Sequence, residues 1–299
     1  MTANATIPDG ACDCHMHFYP ANDPFNAPEL QRQSQSAWID DYRLVMKKLN
    51  LSRFVAVQSM LFGFDNSAML KAMAAFNDDD VRGIVIIPTD EVTDENLNHL
   101  HRKNIRGIRA FMLENPVYAW SELPKIARSI EPFGWHLQLQ IDGRNLPDLS
   151  EKIQSLPCPV VIDHNGKFLD PVKPEDPSFQ TLLKLLDTDN VWVKMSAPYE
   201  TSKLGPPHYD DVSVLAKALA AHRPDRLVWA TNFPHPGFMP PPNDMDLMKL
   251  LEQWVPDAET RKRILVDNPE KLYEFASIRE NIDEHMDESA KKSSAKHVR

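Results

Sequence analysis

One short segment of the chain, Cys14-His15-Met16-His17, concentrates chemical potential. Alternate residues of an extended chain share a face, so a strand here would present the His15 and His17 imidazoles together. A third histidine, His164, ends the apolar run Pro159 to His164, and an amide, Asn232, follows the run Leu227 to Thr231. Imidazoles titrate near neutrality, donate hydrogen bonds to a carbonyl, and bind zinc. His15, His17, His164 and Asn232 are therefore the catalytic candidates, and the three histidines are the donors if a divalent metal is held. Asn232 weighs against a metal, because an amide takes up no proton at neutral pH and binds a divalent cation less well than a carboxylate does. No resident cofactor is expected, zinc being the one to test.

Cations stand at comparable places. Arg109 closes Ile105 to Arg109, Arg144 lies in Asp142-Gly143-Arg144, and Lys167 follows Asp163-His164-Asn165-Gly166. Guanidinium and ammonium groups converging there would bind a carboxylate, the guanidiniums by two parallel bonds. Lys194 ranks below them, because it shares a face with Trp192 and can turn outward against a helix. Ser59, Gln140 and Tyr199 are polar groups suited to orienting a substrate. Asp163 alternates with His164 and is expected to face away, as a structural residue. His208, in a Gly-Pro-Pro loop, is expected to be exposed.

Short apolar runs alternating with amphipathic segments must position these groups, and that alternation is the signature of a parallel sheet. Eight strands are expected: Ala11 to His15, Arg53 to Gln58, Arg82 to Ile87, Ile105 to Arg109, Trp135 to Gln140, Pro159 to His164, Asn190 to Met195, and Leu227 to Thr231. Helices are expected over Ala37 to Leu49, Asp65 to Phe76, Thr93 to Arg102, Ala119 to Glu131, Leu146 to Ser155, Phe179 to Leu186, Asp210 to His222, and Asp244 to Trp254. Eight such units close an α/β barrel of the (β/α)8 TIM type, whose chemistry sits at the C-terminal ends of its strands. The histidines, Arg109 and Asn232 all fall at such ends. No glycine-rich phosphate cradle is present to support a doubly wound open sheet instead. Thr260 to Ala276 reads as a helical cap with a turn and restart at Asn268-Pro269. The expected organisation is one barrel domain over residues 1–276, then a charged, disordered tail over 277–299. The Pro- and Asn-rich loop from Pro20 to Gln35 is long enough to wall the pocket.

The chain has 299 residues, 42% hydrophobic and 25% charged, enough to bury one large core. Its formal charge of −10 disfavours nucleic acid as a partner, while leaving room for a small anionic substrate in a local basic pocket. No apolar run is long enough for a membrane span and no signal segment opens the sequence, so a cytoplasmic enzyme is expected. Three cysteines, Cys12, Cys14 and Cys158, lack a paired spacing and read as reduced thiols.

The ordered set DCHMHFYP, RGIRAF, WHLQLQIDGRNLP, VVIDHNG, VWVKMSAPY, LVWATNFPHP and ILVDNPEKLY resembles the amidohydrolase superfamily, in the branch of 2-pyrone-4,6-dicarboxylate lactonase and D-galactarolactone isomerase. The resemblance implies a barrel enzyme acting on a lactone: a hydrolase opening a dicarboxylate lactone or, alternatively, a galactarolactone isomerase. A metal-dependent decarboxylase and a catalytically weak ligand-binding member are further alternatives. Two departures stand out. No Lys or Glu ends the middle strands to bridge two metals, and Asn232 stands where the family has an Asp.

Overall fold

In the computed structural model, which describes residues 7–20 and 37–277, eight parallel strands pair in sequence order. They are β1 (Cys12–Met16), β2 (Arg53–Val57), β3 (Val81–Val85), β4 (Ile105–Phe111), β5 (His136–Gln140), β6 (Val160–Ile162), β7 (Val191–Met195) and β8 (Leu227–Trp229). The following helices are α1 (Ile39–Lys48), α2 (Ser67–Met73), α3 (Asp94–His101), α4 (Leu123–Ile130), α5 (Leu146–Gln154), α6 (Pro177–Leu186), α7 (Asp210–His222) and α8 (Asp244–Trp254). All sixteen expected elements are thus found, and the differences lie at their ends. The α6 helix starts earlier than expected, because Asp176 accepts the Ser178 N–H and Pro177 needs none of its own. The α4 helix starts later, since Glu122 turns back to accept the Ala119 N–H. The loop walling the pocket and the tail expected to be disordered lie outside the described residues, apart from Pro20 and the single tail residue Ser277.

Alternation along the strands sorts the side chains. Leu137 and Leu139 face the helices in the main hydrophobic core. Cys12, Cys14, Val55, Val57, Ile84, Val161, Trp192, Val228 and Ala230 form a second cluster inside the barrel. Gly107 is the gap opposite His136 that lets that ring fit: a Cβ there would stand 2.7 Å from the His136 carbonyl oxygen. The cap comprises α9 (Ala258–Lys262), a π-turn (Arg263–Asp267) and α10 (Asn268–Tyr273). The helix runs through Asn268-Pro269 instead of turning there, because proline in a first helical turn sacrifices no bond. Leu272, Tyr273 and Phe275 join the interior cluster and plug the barrel floor.

The ring closes between β8 and β1 without a full strand ladder. Past the end of β8, the Asn232 N–H donates to the His15 carbonyl at 2.9 Å, and the His17 N–H donates to the Phe233 carbonyl at 2.8 Å. Asp13 ties the same seam through its side chain. One carboxylate oxygen accepts the His15 and Thr231 N–H groups at 3.1 and 3.0 Å, and the other accepts the Thr231 and Tyr42 hydroxyls at 2.5 and 3.0 Å. Replacing Asp13 by Ala leaves several buried donors without acceptors and should lower unfolding free energy by about 3 kcal/mol or more, against about 1 kcal/mol for Tyr42→Phe, as read by urea denaturation. Burial pushes the Asp13 pKa from 3.8 up to about 6 against those four bonds. The folded protein therefore holds this proton more tightly than the unfolded chain. The resulting stability is fully present below about pH 4 and is lost as pH rises through about 6. An amide in place of this carboxyl has no proton to lose and would lack that slope. The stability difference between wild type and Asp13→Asn should therefore move in favour of the variant between about pH 4 and pH 7.

Candidate active site

A register shift in β1 between Asp13 and Met16 makes the site possible. Cys14 already faces the barrel interior, yet the shift brings His15 inward as well, with His17 beside it. The two Nε2 atoms are 3.2 Å apart, and His17 Nδ1 lies 2.7 Å from the Val57 carbonyl. That carbonyl can only accept, so Nδ1 of His17 carries the proton, its Nε2 accepts, and His15 Nε2–H donates. His164 completes the group with its ring centroid 5.0 Å from that of His15. Sequence reasoning expected imidazoles titrating near neutrality. Burial instead drives all three down, His17 to about 3 and His15 and His164 well below the ordinary histidine value, with nearby Lys and Arg cations adding to the effect. They are neutral rings at physiological pH.

Beneath the histidines lies a layer that the sequence did not disclose. Lys194 points into the barrel, not outward: its ammonium donates to the Cys14 carbonyl at 2.8 Å and to Gln138 Oε1 at 2.7 Å, and it stands 3.4 Å from His15 Nδ1. Trp192 shares that inward face, and its ring is covered by the Arg226 guanidinium 5.0 Å from its centroid. Asp163 also faces inward, 3.4 Å from His15 Nδ1 and accepting Gln138 Nε2–H at 3.2 Å. Alternation fails here because β6 ends at Ile162 and His164 takes a left-handed backbone (φ 52°), so neighbouring residues meet on one side. Burial brings the Lys194 pKa down to about 8.

Above them opens a cavity of about 250 Å³. His17, Ser59, Arg109, Gln140, His164 and Asn232, all expected from sequence, line it, together with Tyr19, Phe111 and Glu200, which were not. Arg109 donates to the Gln58 carbonyl at 2.7 Å and to Gln140 Oε1 at 2.5 Å, while its Nε has no partner. Ser59 bonds the Tyr19 hydroxyl at 2.8 Å. Lys167, also expected there, does not line the cavity; it stands behind Glu200 in an ion pair with it, and burial lowers its pKa to about 8. Asn232 Nδ2 donates to Glu200 Oε1 at 2.8 Å and to the Tyr199 hydroxyl at 3.0 Å. Tyr199 in turn meets His235 Nδ1 at 2.8 Å, and His235 Nε2 meets Asp244 at the start of α8 at 3.0 Å. Arg144 is not on this wall; it is paired with Asp142 and Asp170 and its side chain is 42% exposed. Its own neighbour two residues back captures it, which no strand-end rule reveals. His208 is exposed, as expected. The only sequence signal for Glu200 was its place in the segment just after β7.

His15, Asp163 and His164 offer ligand atoms that all lie within 4.8 Å of one another, and Asp163 Oδ1 has no hydrogen-bond partner. The donor types suit a divalent cation. The charge balance does not, since the Lys194 ammonium already stands 3.9 Å from that same oxygen and 3.4 Å from His15 Nδ1. A divalent ion placed there would face a like charge at close range.

The arrangement as a whole has neutral imidazoles, one guanidinium, one ion-paired carboxylate and several hydroxyl and amide groups around a small cavity. Its relatives place it among known enzymes. The chain is 31% identical to the D-galactarolactone isomerase of Agrobacterium fabrum over 280 residues, covering 92% of this chain and 95% of that protein. It is 34% identical to a 2-pyrone-4,6-dicarboxylate hydrolase of Comamonas testosteroni over 281 residues, covering 89% and 91%. The solved structure of a probable 2-pyrone-4,6-dicarboxylic acid hydrolase from Acinetobacter baumannii, with citric acid bound, superposes with a TM-score of 0.75 at 25% identity, over 89% of this chain and all of that one. The sequence profile of the Amidohydrolase family matches residues 12–275, and the chain belongs to that family as one of its enzymes.

Proposed function

We propose that the enzyme binds a small carboxylate-bearing lactone in this cavity and breaks its acyl–oxygen bond, without a resident metal. The observation that carries the reading is Arg109, a largely buried guanidinium at the wall of a cavity sized for one small molecule. Lactone-acting relatives and a relative with citric acid bound support the same class.

The chain's own groups fit the steps. Arg109 holds the carboxylate, and Lys167 stays behind the wall in its ion pair with Glu200. Ser196 Oγ is 2.8 Å from His164 Nδ1. When that hydroxyl donates, His164 Nε2–H faces the cavity and can bond the lactone carbonyl oxygen as negative charge develops on it. His15 and His17 spend their nitrogens on one another, on Val57 and on the Lys194 layer, and so fix the floor on which the lactone rests. Ring opening by water gives the hydrolase, whose substrate in the first reading is a dicarboxylate lactone. A second reading has specific support: Glu200 already neutralises Lys167, and Ser59, Tyr19, Gln140 and Asn232 offer neutral partners for hydroxyl groups. That balance suits a polyhydroxylated lactone with one carboxylate, whose acyl group would move between two hydroxyls of the same molecule, as an isomerase requires. The catalytically weak binder is the reading left if nothing turns over, and the decarboxylase the one left if a metal is essential. We further propose a cytoplasmic enzyme of one barrel domain; among the described residues no helix is long and apolar enough to cross a membrane.

A panel of mono- and dicarboxylate lactones followed by NMR for ring opening and for positional isomerisation should give turnover with at least one member, and Arg109→Met should raise its KM by tenfold or more. Complete inertness toward the panel would sink the lactone reading. Metal analysis of protein purified without chelators should find well under one equivalent of zinc, with turnover unchanged by EDTA; one tightly held equivalent, needed for activity, would overturn the metal-free reading.

A further inference from the structure

The residue after β8 is an amide, yet the cavity does contain a carboxylate. Among the described residues lining it, Glu200 is the one acid. It ends a turn over Pro198–Glu200, directly after β7, and keeps 12% of its side chain exposed, toward the cavity it lines. Two groups fix it, and a third stands close. Asn232 Nδ2 donates to Oε1 at 2.8 Å, Lys167 pairs with Oε2, and His164 Nε2 stands 3.9 Å from Oε1. Asn232 is therefore spent as a donor, and its role is to aim Glu200. A carboxylate oxygen has more than one acceptor site, so one bond from Asn232 leaves Oε1 free to take a proton from a bound molecule. Asp163, another nearby acid, is fully buried under the histidines and does not itself line the cavity.

We propose that Glu200 is the catalytic base and acid of this enzyme, the carboxylate having moved from the end of β8 to the turn after β7. The inference rests on the lactone reading above. Glu200 takes the proton of the attacking hydroxyl, from water in hydrolysis or from a second hydroxyl of the substrate in isomerisation. As it does so, the oxygen's electron pair forms the new bond to the carbonyl carbon, and the C=O pair moves onto the carbonyl oxygen opposite His164. When the C=O bond re-forms, the ring C–O bond breaks, its electrons stay on the leaving oxygen, and Glu200 returns its proton there. The carboxylate ends as it began, so no co-reactant is needed beyond the water that hydrolysis consumes.

The test uses the lactone on which the wild-type enzyme is active. Glu200→Gln should lower kcat at least tenfold, and about 100-fold if general acid–base catalysis has its usual weight, while KM changes less than threefold. Adding Asn232→Asp to Glu200→Gln returns a carboxylate to the same wall and should recover tenfold or more, and formate should likewise rescue Glu200→Ala. If Lys167 without its partner prevents folding, Glu200→Gln with Lys167→Met removes both charges, and it should lose at least tenfold in kcat beyond Lys167→Met alone. A kcat loss under tenfold, or a loss that neither Asn232→Asp nor formate relieves, overturns the proposal. Wild-type inertness toward every lactone overturns the functional reading and this inference with it, whereas wild-type turnover that Glu200→Gln leaves intact overturns this inference alone.

Discussion

The whole site hangs on the seam where the last strand meets the first. Seven of the eight strand junctions are ladders of backbone bonds, but β8 and β1 are joined by two bonds past the strand end and by the Asp13 carboxylate. The His15 carbonyl on β1 and the His17 N–H just past its end make the two backbone bonds of that seam, with Asn232 and Phe233 as their partners. The backbone that closes the ring is the backbone that carries the histidines and the amide. A slip of this junction by one residue would rotate both imidazoles off the cavity floor.

Charge at the site is arranged in depth. Lys194 and Asp163 lie under the histidines, Arg109 and Glu200 stand around the cavity, and Lys167 backs Glu200. Burial, with cations on both sides adding to its effect, holds the three rings neutral, and that neutrality suits them to donate hydrogen bonds and not to carry protons. Proton transfer then falls to a group whose ordinary state at neutral pH is a charged base. Glu200 meets that description, and the amide beside it does not.

Much of this was legible in the sequence, and the reasons are physical. Apolar periodicity set the barrel and its eight units, and the rule that strand ends face the mouth gathered His17, Arg109, His164 and Asn232, which line one cavity, with His15 beside His17 and His164. What the sequence hid were departures from regular alternation. The β1 shift, the left-handed backbone at His164 and the early end of β6 put Asp163 beside His15 when simple alternation sent it away. Lys194 was misjudged because a buried ammonium is costly unless it is bonded, and its acceptors, Cys14 and Gln138, come from strands remote in sequence. Arg144 was misjudged for the converse reason, since a carboxylate two residues away captures it. Glu200 sits in a turn, where no periodicity says which way a side chain points.

The plug in the barrel floor bears on how such a chain is made. Tyr273 and Phe275 seal the interior from below, Arg82 on β3 donates to the Tyr273 and Glu274 carbonyls at 3.0 and 2.7 Å, and Asn268 grips the Pro224 and Leu227 carbonyls at the start of β8. These residues follow every strand in the order of synthesis. A growing chain on the ribosome can lay down all eight strands and still have an open bottom, with Cys12, Trp192 and His136 wetted from beneath. Only when the segment through Phe275 clears the exit tunnel can the interior dry, so nascent chains halted before it should be prime clients for chaperones that recognise exposed apolar surface.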